Sequence, residues 1–600
     1  MRSGRRTEVA ADAAGSVGFQ EESIAARVRW SLADRLRIEH RQTRLVTLDK
    51  HRRNGRSLVA VTLAAAIACA TAGCSKVESG TSAGGGGNPW TIHGVVRIGA
   101  YEDLDNLDPV LSDELYATNV FQLIFSGLID YDDHGNPVPD IALAVPTQSN
   151  GGISADGRTI TYRLRRGVLW SDGAPLTSAD VTFTWLQIMN PRNLVAYRFP
   201  YDEATSIDTP DPYTVVVHLS APSAPFIANF MRNGSVGSIV PKHLLDGRAD
   251  LNHASFSTAP IGSGPFVVTS WRPGVELDLK ANPRYFRGPP KVAQVQFRII
   301  PDQNTLMTEL QSHSLDIFLH ATETQYAPLK SVAGYRVTAI PNLDYEHIAF
   351  NCARAPFDDV RVRRAFAYAI DWKRINDDAY LGIDVPGMTD QSPAMWSYDP
   401  HVLPYPHDPA RARELLREAG WSPGPGGVLV RGGKPFEVDI SSVIGNSTRV
   451  KAETLIQADM RDVGVQVAVR NYPANLLFAT QGAGGILASG KFDFALYGWS
   501  FNPDPDDTDT MGPQSLPPYG VNYTFYRDPD IGRWEAQGRE HYGRAQRIPY
   551  YWKIQERIHD QVPFHTINWQ APIDAVNTDL RNFKPAPAVA DFWNAYEWEI

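Results

Sequence analysis

Four carboxylates crowd the end of one segment, Phe492 to Asp509, FDFALYGWSFNPDPDDTD: Asp504, Asp506, Asp507 and Asp509. Acids so closely spaced can hold a hard cation or share a proton for acid–base chemistry. A calcium loop also needs a central glycine and a terminal bidentate glutamate. This stretch has neither, and Pro505 interrupts it. Catalytic patterns are missing elsewhere too. The sequence holds no HExxH, no GxSxG and no P-loop, and the run Gly482 to Gly485 lacks the lysine a phosphate cradle uses. Its 15 histidines are scattered without ligand spacing. No metal, no cofactor and no catalysis are expected. The segment is left as one wall of a ligand pocket or as a solvated loop.

The elements that carry it are legible nearby. Phe492, Phe494 and Leu496 alternate as in a buried strand, and Gly498 is expected to end that strand. The prolines after Asn502 lack the donor a ladder needs. A strand end would then present Trp499 and a polar turn, where ligands of α/β sheets bind. Upstream, residues 95–100 alternate like a sheet edge, and 116–129 form an amphipathic helix. Thr177 with Asp180 three residues on resembles a capping box. Cys352 suits a packed core thiol, and Arg361, Arg363 and Arg364 suit a solvated helix face or pairs with acids.

Composition sets the frame. The 600 residues, 43% hydrophobic and 21% charged, are enough for about three to four domain-sized cores. The net charge is −10, yet the first 73 residues are net basic, so the body is more acidic still. That excludes nucleic acid as a partner, because phosphate binding needs a basic surface. Three cysteines are too few for a disulfide framework. A basic cluster at 51–56 precedes an apolar run over 58–72, the pattern of a signal peptide. The run closes on Thr71-Ala72-Gly73-Cys74, which resembles a bacterial lipobox. The resemblance implies a signal peptide over 46–73, lipidation of Cys74 and a Ser/Gly-rich tether over 74–87. Residues 1–45 are then an extension ahead of a true start near Val46. No second apolar stretch is long enough to span a membrane, so the body is expected to be soluble and extracytoplasmic.

The most specific stretch is DGRTITYRLRRGVLWSDGAPLTSADVTFTW, Asp156 to Trp185. With Leu164-Arg165, Gly167-Val168, Trp170, Asp172-Gly173, Thr177, Asp180-Val181 and Phe183-Thr184 it resembles the extracytoplasmic solute-binding proteins of peptide and nickel ABC transporters, family 5. Pro260 to Phe266, Asn282 to Tyr285, Ala355 to Ala365 and Asp408 to Trp421 continue the likeness over roughly 95–597. Most of these residues make turns and cores rather than ligand contacts.

The resemblance implies an α/β, two-lobed periplasmic-binding-protein fold of the large, class C type, with an extra domain inserted in the first lobe. Lobe I would comprise 88–133, 258–344 and 566–600, the insert 134–257, and lobe II 345–565. The chain would cross between lobes near 342–351 and 563–569. The implied function is a lipid-anchored, monomeric receptor that captures a small solute, a peptide foremost, by hinge closure and delivers it to an ABC permease. A non-peptide solute (sugar, opine or metal chelate) and a surface lipoprotein without transport stay open as alternatives. The family turns the segment after Gly498-Trp499 toward its ligand. Peptide binders carry an Asp where this chain has Asn502, and oligopeptide binders an Arg where it has Leu496. Asp504 is then the candidate to replace the missing amine anchor. By position Tyr101, Asp113, Tyr116, Tyr345, His347 and Trp396 join the cleft.

Overall fold

The computed structural model describes residues 87–195, 197–587 and 590–600. Cys74, the extension 1–45, the signal peptide 46–73 and the tether before Gly87 lie outside the described residues.

Two mixed sheets dominate. In the first, the strands run in the order Tyr335–Ala339, Ile573–Asn577, Ile317–Ala321, Val95–Ala100, Gln294–Ile299, Glu276–Ala281 and Phe266–Arg272. Val95–Ala100 is therefore central, paired in parallel on both sides, where an edge was expected. Burial on both faces explains why its alternation is imperfect. Gly99 is required there, since a Cβ would come 2.6 Å from Leu315 and 2.7 Å from Leu306. Arg97 is buried as well, and its guanidinium meets the fully buried Asp316 through Nε at 2.8 Å and Nη2 at 3.0 Å. That pair ties the start of the central strand to the loop feeding its neighbour.

The second sheet runs Val385–Pro386, Phe564–Trp569, Asp344–Phe350, Phe494–Ser500, Glu437–Val443 and Gln466–Tyr472. Asp344–Phe350 and Phe564–Trp569, expected as crossings, are strands of this sheet. The passages between sheets are shorter, at 340–343 and 570–572, because pairing in the second sheet continues to its rim. They are bonded to each other, Asn342 N to Gln570 O at 2.9 Å and Gln570 N to Asp344 O at 2.8 Å.

Helices cover both sheets and begin on local caps. Asp408 caps Pro409–Glu418, and Thr177 with Asp180 forms the capping box of Ser178–Met189. The helix after Asp113 ends early, spanning Leu115–Ile124. Arg361 pairs with Asp359 and Arg364 with Asp560, but Arg363 is buried and not solvated. It donates to the carbonyls of Phe357, Gln561 and Val562, satisfying the end of the helix Arg544–Gln561. Cys352 is half-buried, and burial pushes its thiol up to about 11.

Residues of the expected insert build a three-stranded antiparallel sheet from Thr159–Arg163, Thr214–Leu219 and Ala204–Asp211. Ile160, Tyr162 and Trp170 belong to the same hydrophobic cluster as Val96 and Ile98. The insert thus shares the first lobe's core. Among the described residues no helix is long and apolar enough to cross a membrane.

The Arg97–Asp316 pair sets an expected outcome. Asp316→Asn leaves a buried guanidinium without its counter-charge and should cost about 3–5 kcal/mol. A lowered urea midpoint with an unchanged slope would show it.

Candidate ligand-binding site

A cavity of about 760 Å³ opens between the two sheets, over the paired crossings. That is within the roughly 300–1,000 Å³ of small-molecule sites. Leu343, Asp344 and Gln570 of the crossings form its floor. Asp113, Arg232, His320 and Asp591 come from the first lobe, and Arg449, Trp499 and Asn502 from the second.

Trp499 reaches the cavity because its strand does not stop at Gly498. Phe494–Ser500 stays paired with Asp344–Phe350 throughout, Trp499 opposite Tyr345. The glycine has another purpose. A Cβ there would lie 2.9 Å from both Arg449 Nη2 and Glu346 Oε1. Those two groups form a two-pronged pair at 2.6 and 3.0 Å, with Glu346 buried in the strand beside it. Glycine leaves space for an ion pair that a side chain would displace.

Charges facing the cavity fall into committed and uncommitted sets. Arg449 is held by Glu346, and His320 Nε2 by Asp591 at 2.9 Å. Burial alone would depress the His320 imidazolium. The Asp591 hydrogen bond, with the charges of Asp591, Asp574 and Asp344, overcomes that and lifts it to about 9. Burial lifts Asp574 to about 7 against the pull of His320. Arg232 is different: its Nε is buried without a partner, and it has no ion pair among the described residues. Asp113 and Asp344 also lack a cation; Asp344 accepts only from Asn342, at 2.7 Å.

Of the residues singled out in sequence, Asp113, Trp499 and Asn502 line this cavity together. Tyr101 and Tyr116 stand behind it. Tyr116 is fully buried, edge-on to Tyr101 at 5.5 Å and 5.4 Å from His320 between ring centres. Tyr345 and His347 are buried around a void of about 20 Å³ behind Trp499. Burial, aided by Arg449, pushes His347 down to about 3, so it is neutral. Trp396 and Asp504 are elsewhere, on a separate cavity of about 560 Å³. Asp504 does not move in to replace an anchor at Asn502. It is buried and gripped by Arg547 through two contacts of 2.6 Å. Asp504 and Asp507 of the acid-rich turn point inward, while Asp509 is exposed. Arg232, His320, Arg449, Asp574 and Asp591 carried no local signal, since each comes from a different stretch of chain.

Two lobes, paired crossings and a charged cavity between them define a binding protein that encloses a solute. The comparisons agree. The model of bacterial extracellular solute-binding proteins, family 5, matches residues 136–517. Protein XP55 of Streptomyces lividans is 31% identical over 450 residues, 74% of this chain and 80% of that one. The oligopeptide-binding protein AppA of Bacillus subtilis is 24% identical over 555 residues, 92% of this chain and 99% of that protein. The crystal structure of NikA from Brucella suis in complex with Fe(III)-EDTA superposes with a TM-score of 0.73 at 20% identity, over 84% of this chain and 99% of that one. The chain belongs to the family 5 bacterial extracellular solute-binding proteins, which are binding components of transport and not enzymes.

Two outcomes follow for the site. Gly498→Ala should split the Arg449–Glu346 pair and lower the melting temperature more than Ser500→Ala on the same strand. The folded-state pKa of His320, about 9 against an ordinary 6.5, stabilises fully below pH 6.5 and is lost as pH rises through 9. The melting temperature should therefore fall over that window, and Asp591→Asn should flatten the fall. A His320 imidazole that titrates near 6.5 by NMR would contradict it.

Proposed function

We propose that this chain is a lipid-anchored receptor that captures a peptide in the interlobe cavity, closes on it about the two crossings, and presents it to an ABC permease. The observation that carries the reading is the uncommitted Arg232, across the cavity from Trp499 and Asn502. Arg232 is half-buried with its Nε shielded and unpartnered, and a solute carboxylate supplies the missing acceptor and counter-charge. Leu496 lacks the arginine expected near Trp499, and Arg232 offers the same chemistry from the opposite lobe. The uncommitted Asp113 and Asp344 offer carboxylates to an α-ammonium. A zwitterionic peptide matches both signs, and Trp499 adds a flat apolar surface. Support comes also from the relatives, which include a di/tripeptide-binding protein 2 of Pseudomonas aeruginosa.

A second reading, a non-peptide solute such as a metal chelate, rests on the neutral Asn502 where peptide binders carry an acid. The anchor rests on Cys74: Cys74→Ser should move the protein from the membrane pellet to the soluble fraction. On this reading the working protein is a monomer on the outer face of the membrane or in the periplasm.

Titration calorimetry with tri-alanine tests the cavity. Arg232→Gln should weaken binding about 10- to 100-fold, the worth of one hydrogen bond to a charged group. Trp499→Ala should weaken it likewise. Asn502→Asp should tighten tri-alanine but not its N-acetyl form. Thermal stabilisation by sugars with none by peptides would reject the peptide reading.

A further inference from the structure

The rim where the insert meets the second lobe holds more acid than base. Glu535, on the helix Pro529–Glu540, is 1% exposed, and Asp507 and Asp390 are 4% and 2% exposed. Among the described residues no N–H or O–H donor reaches either oxygen of Glu535 or of Asp507. The Glu535 carboxyl instead meets the carboxyls of Asp507 and Asp506 at hydrogen-bond range. Buried carboxyls in such contact cannot both ionise, so a proton stays between them. Burial and the adjoining negative charge of Asp507 hold Glu535 well above the ordinary carboxylate range, and burial lifts Asp507 to about 6.

The surrounding groups leave this proton little competition. Asp390 stands behind Asp507 and adds a further buried acid. Asp504 is taken by Arg547, and Tyr551 faces Glu535 from the helix Arg544–Gln561. Asp509 ends the turn near Arg539, with Asp202 of the insert close by. Arg539, one helical turn beyond Glu535, bridges Asp506 at 2.5 Å and Glu203 of the insert. One guanidinium thus answers carboxylates on both lobes, and Glu535 sits beside it as a third claimant.

Resting on the hinge closure of the reading above, we propose that Glu535 and Asp507 form a proton-linked latch: the shared proton leaves Arg539 free to bridge Glu203 to Asp506 and hold the rim closed, and loss of that proton to solvent draws Arg539 back to the second lobe and releases the insert. In the closed rim Glu203 claims part of Arg539 and water is excluded, so Glu535 holds its proton more tightly than in an open rim. The closed form is therefore favoured below the open-form pKa of Glu535, and that advantage is lost as pH rises through the closed-form pKa. Closure takes up a proton.

Small-angle X-ray scattering of the ligand-free Cys74→Ser protein, from about pH 5 to about pH 9, reads the separation of the lobes. The radius of gyration should grow as pH rises. Glu535→Gln, which keeps the shape without a titrating proton, should stay compact throughout, and Arg539→Gln should stay expanded. Asp507→Asn should also remove the pH dependence and serves if the Glu535 variant folds poorly. His320 and Asp574 titrate in the same window, so the difference between wild type and Glu535→Gln carries the assignment. A Glu535→Gln protein that follows the wild-type course would overturn the latch. So would compaction by added calcium at the alkaline end that Glu535→Gln abolishes, since the cluster would then hold a cation instead of a proton. A radius that ignores pH yet shrinks with tri-alanine would overturn the latch and leave hinge closure standing. A radius unmoved by either would remove both.

Discussion

Two chain segments cross between the lobes side by side, and their mutual backbone bonds constrain everything else. Asn342 N reaches Gln570 O, and Gln570 N reaches Asp344 O. Each crossing thereby satisfies backbone groups that would otherwise face an empty cleft. The pair forms one narrow hydrogen-bonded ribbon between the lobes. The floor of the cavity is this ribbon. Glu346, two residues beyond it, takes both Arg449 and a longer contact from Gln570, which fixes the second lobe's wall to the ribbon. Gly498 exists to let that pair form. Hinge, wall and glycine are one arrangement.

The opposite rim is made of side-chain contacts between the lobes. Arg539 bridges Glu203 of the first lobe's insert and Asp506 of the second lobe. The Tyr542 hydroxyl donates to Gly157 O at 2.7 Å and accepts from Ser223 N at 3.1 Å. The Tyr542 bonds can exchange for water at small net cost, whereas parting the largely buried Arg539 pairs leaves Asp506 uncompensated. The lobes are thus joined through side chains at the rim and through backbone at the ribbon.

What the sequence disclosed was local, and what it hid was long-range. The Thr177–Asp180 box and the Asp408 cap were legible because every group involved lies within a few residues. The turn motifs announced the family, hence the two-lobed fold. Arg97 was hidden, since its partner Asp316 is brought alongside only by the neighbouring parallel strand. Gly498 resembled a strand terminator because its reason, the pair between Arg449 and Glu346, spans 103 residues of sequence. Arg363 resembled a surface cation for the same kind of reason, its acceptors lying at the end of a helix far downstream. Trp499 was accessible to sequence reasoning through its motif. The charges around it were not, because the fold gathers them from separate segments.

That gathering also accounts for Asn502. Within the cavity Arg449 and His320 are answered by Glu346 and Asp591, which leaves Arg232 as the cation without an ion pair among the described residues. Against it stand Asp113, Asp344 and the partly protonated Asp574. The cavity already has more carboxylate than free cation. An aspartate at 502, an exposed position, would add a further negative charge to that side. An amine can find its counter-charge on the first lobe or at the ribbon, so position 502 need not be acidic. The neutral side chain there is the consequence of where the acids were placed elsewhere. It is compatible with a cationic ligand group, for which Asp113 and Asp344 already offer counter-charges.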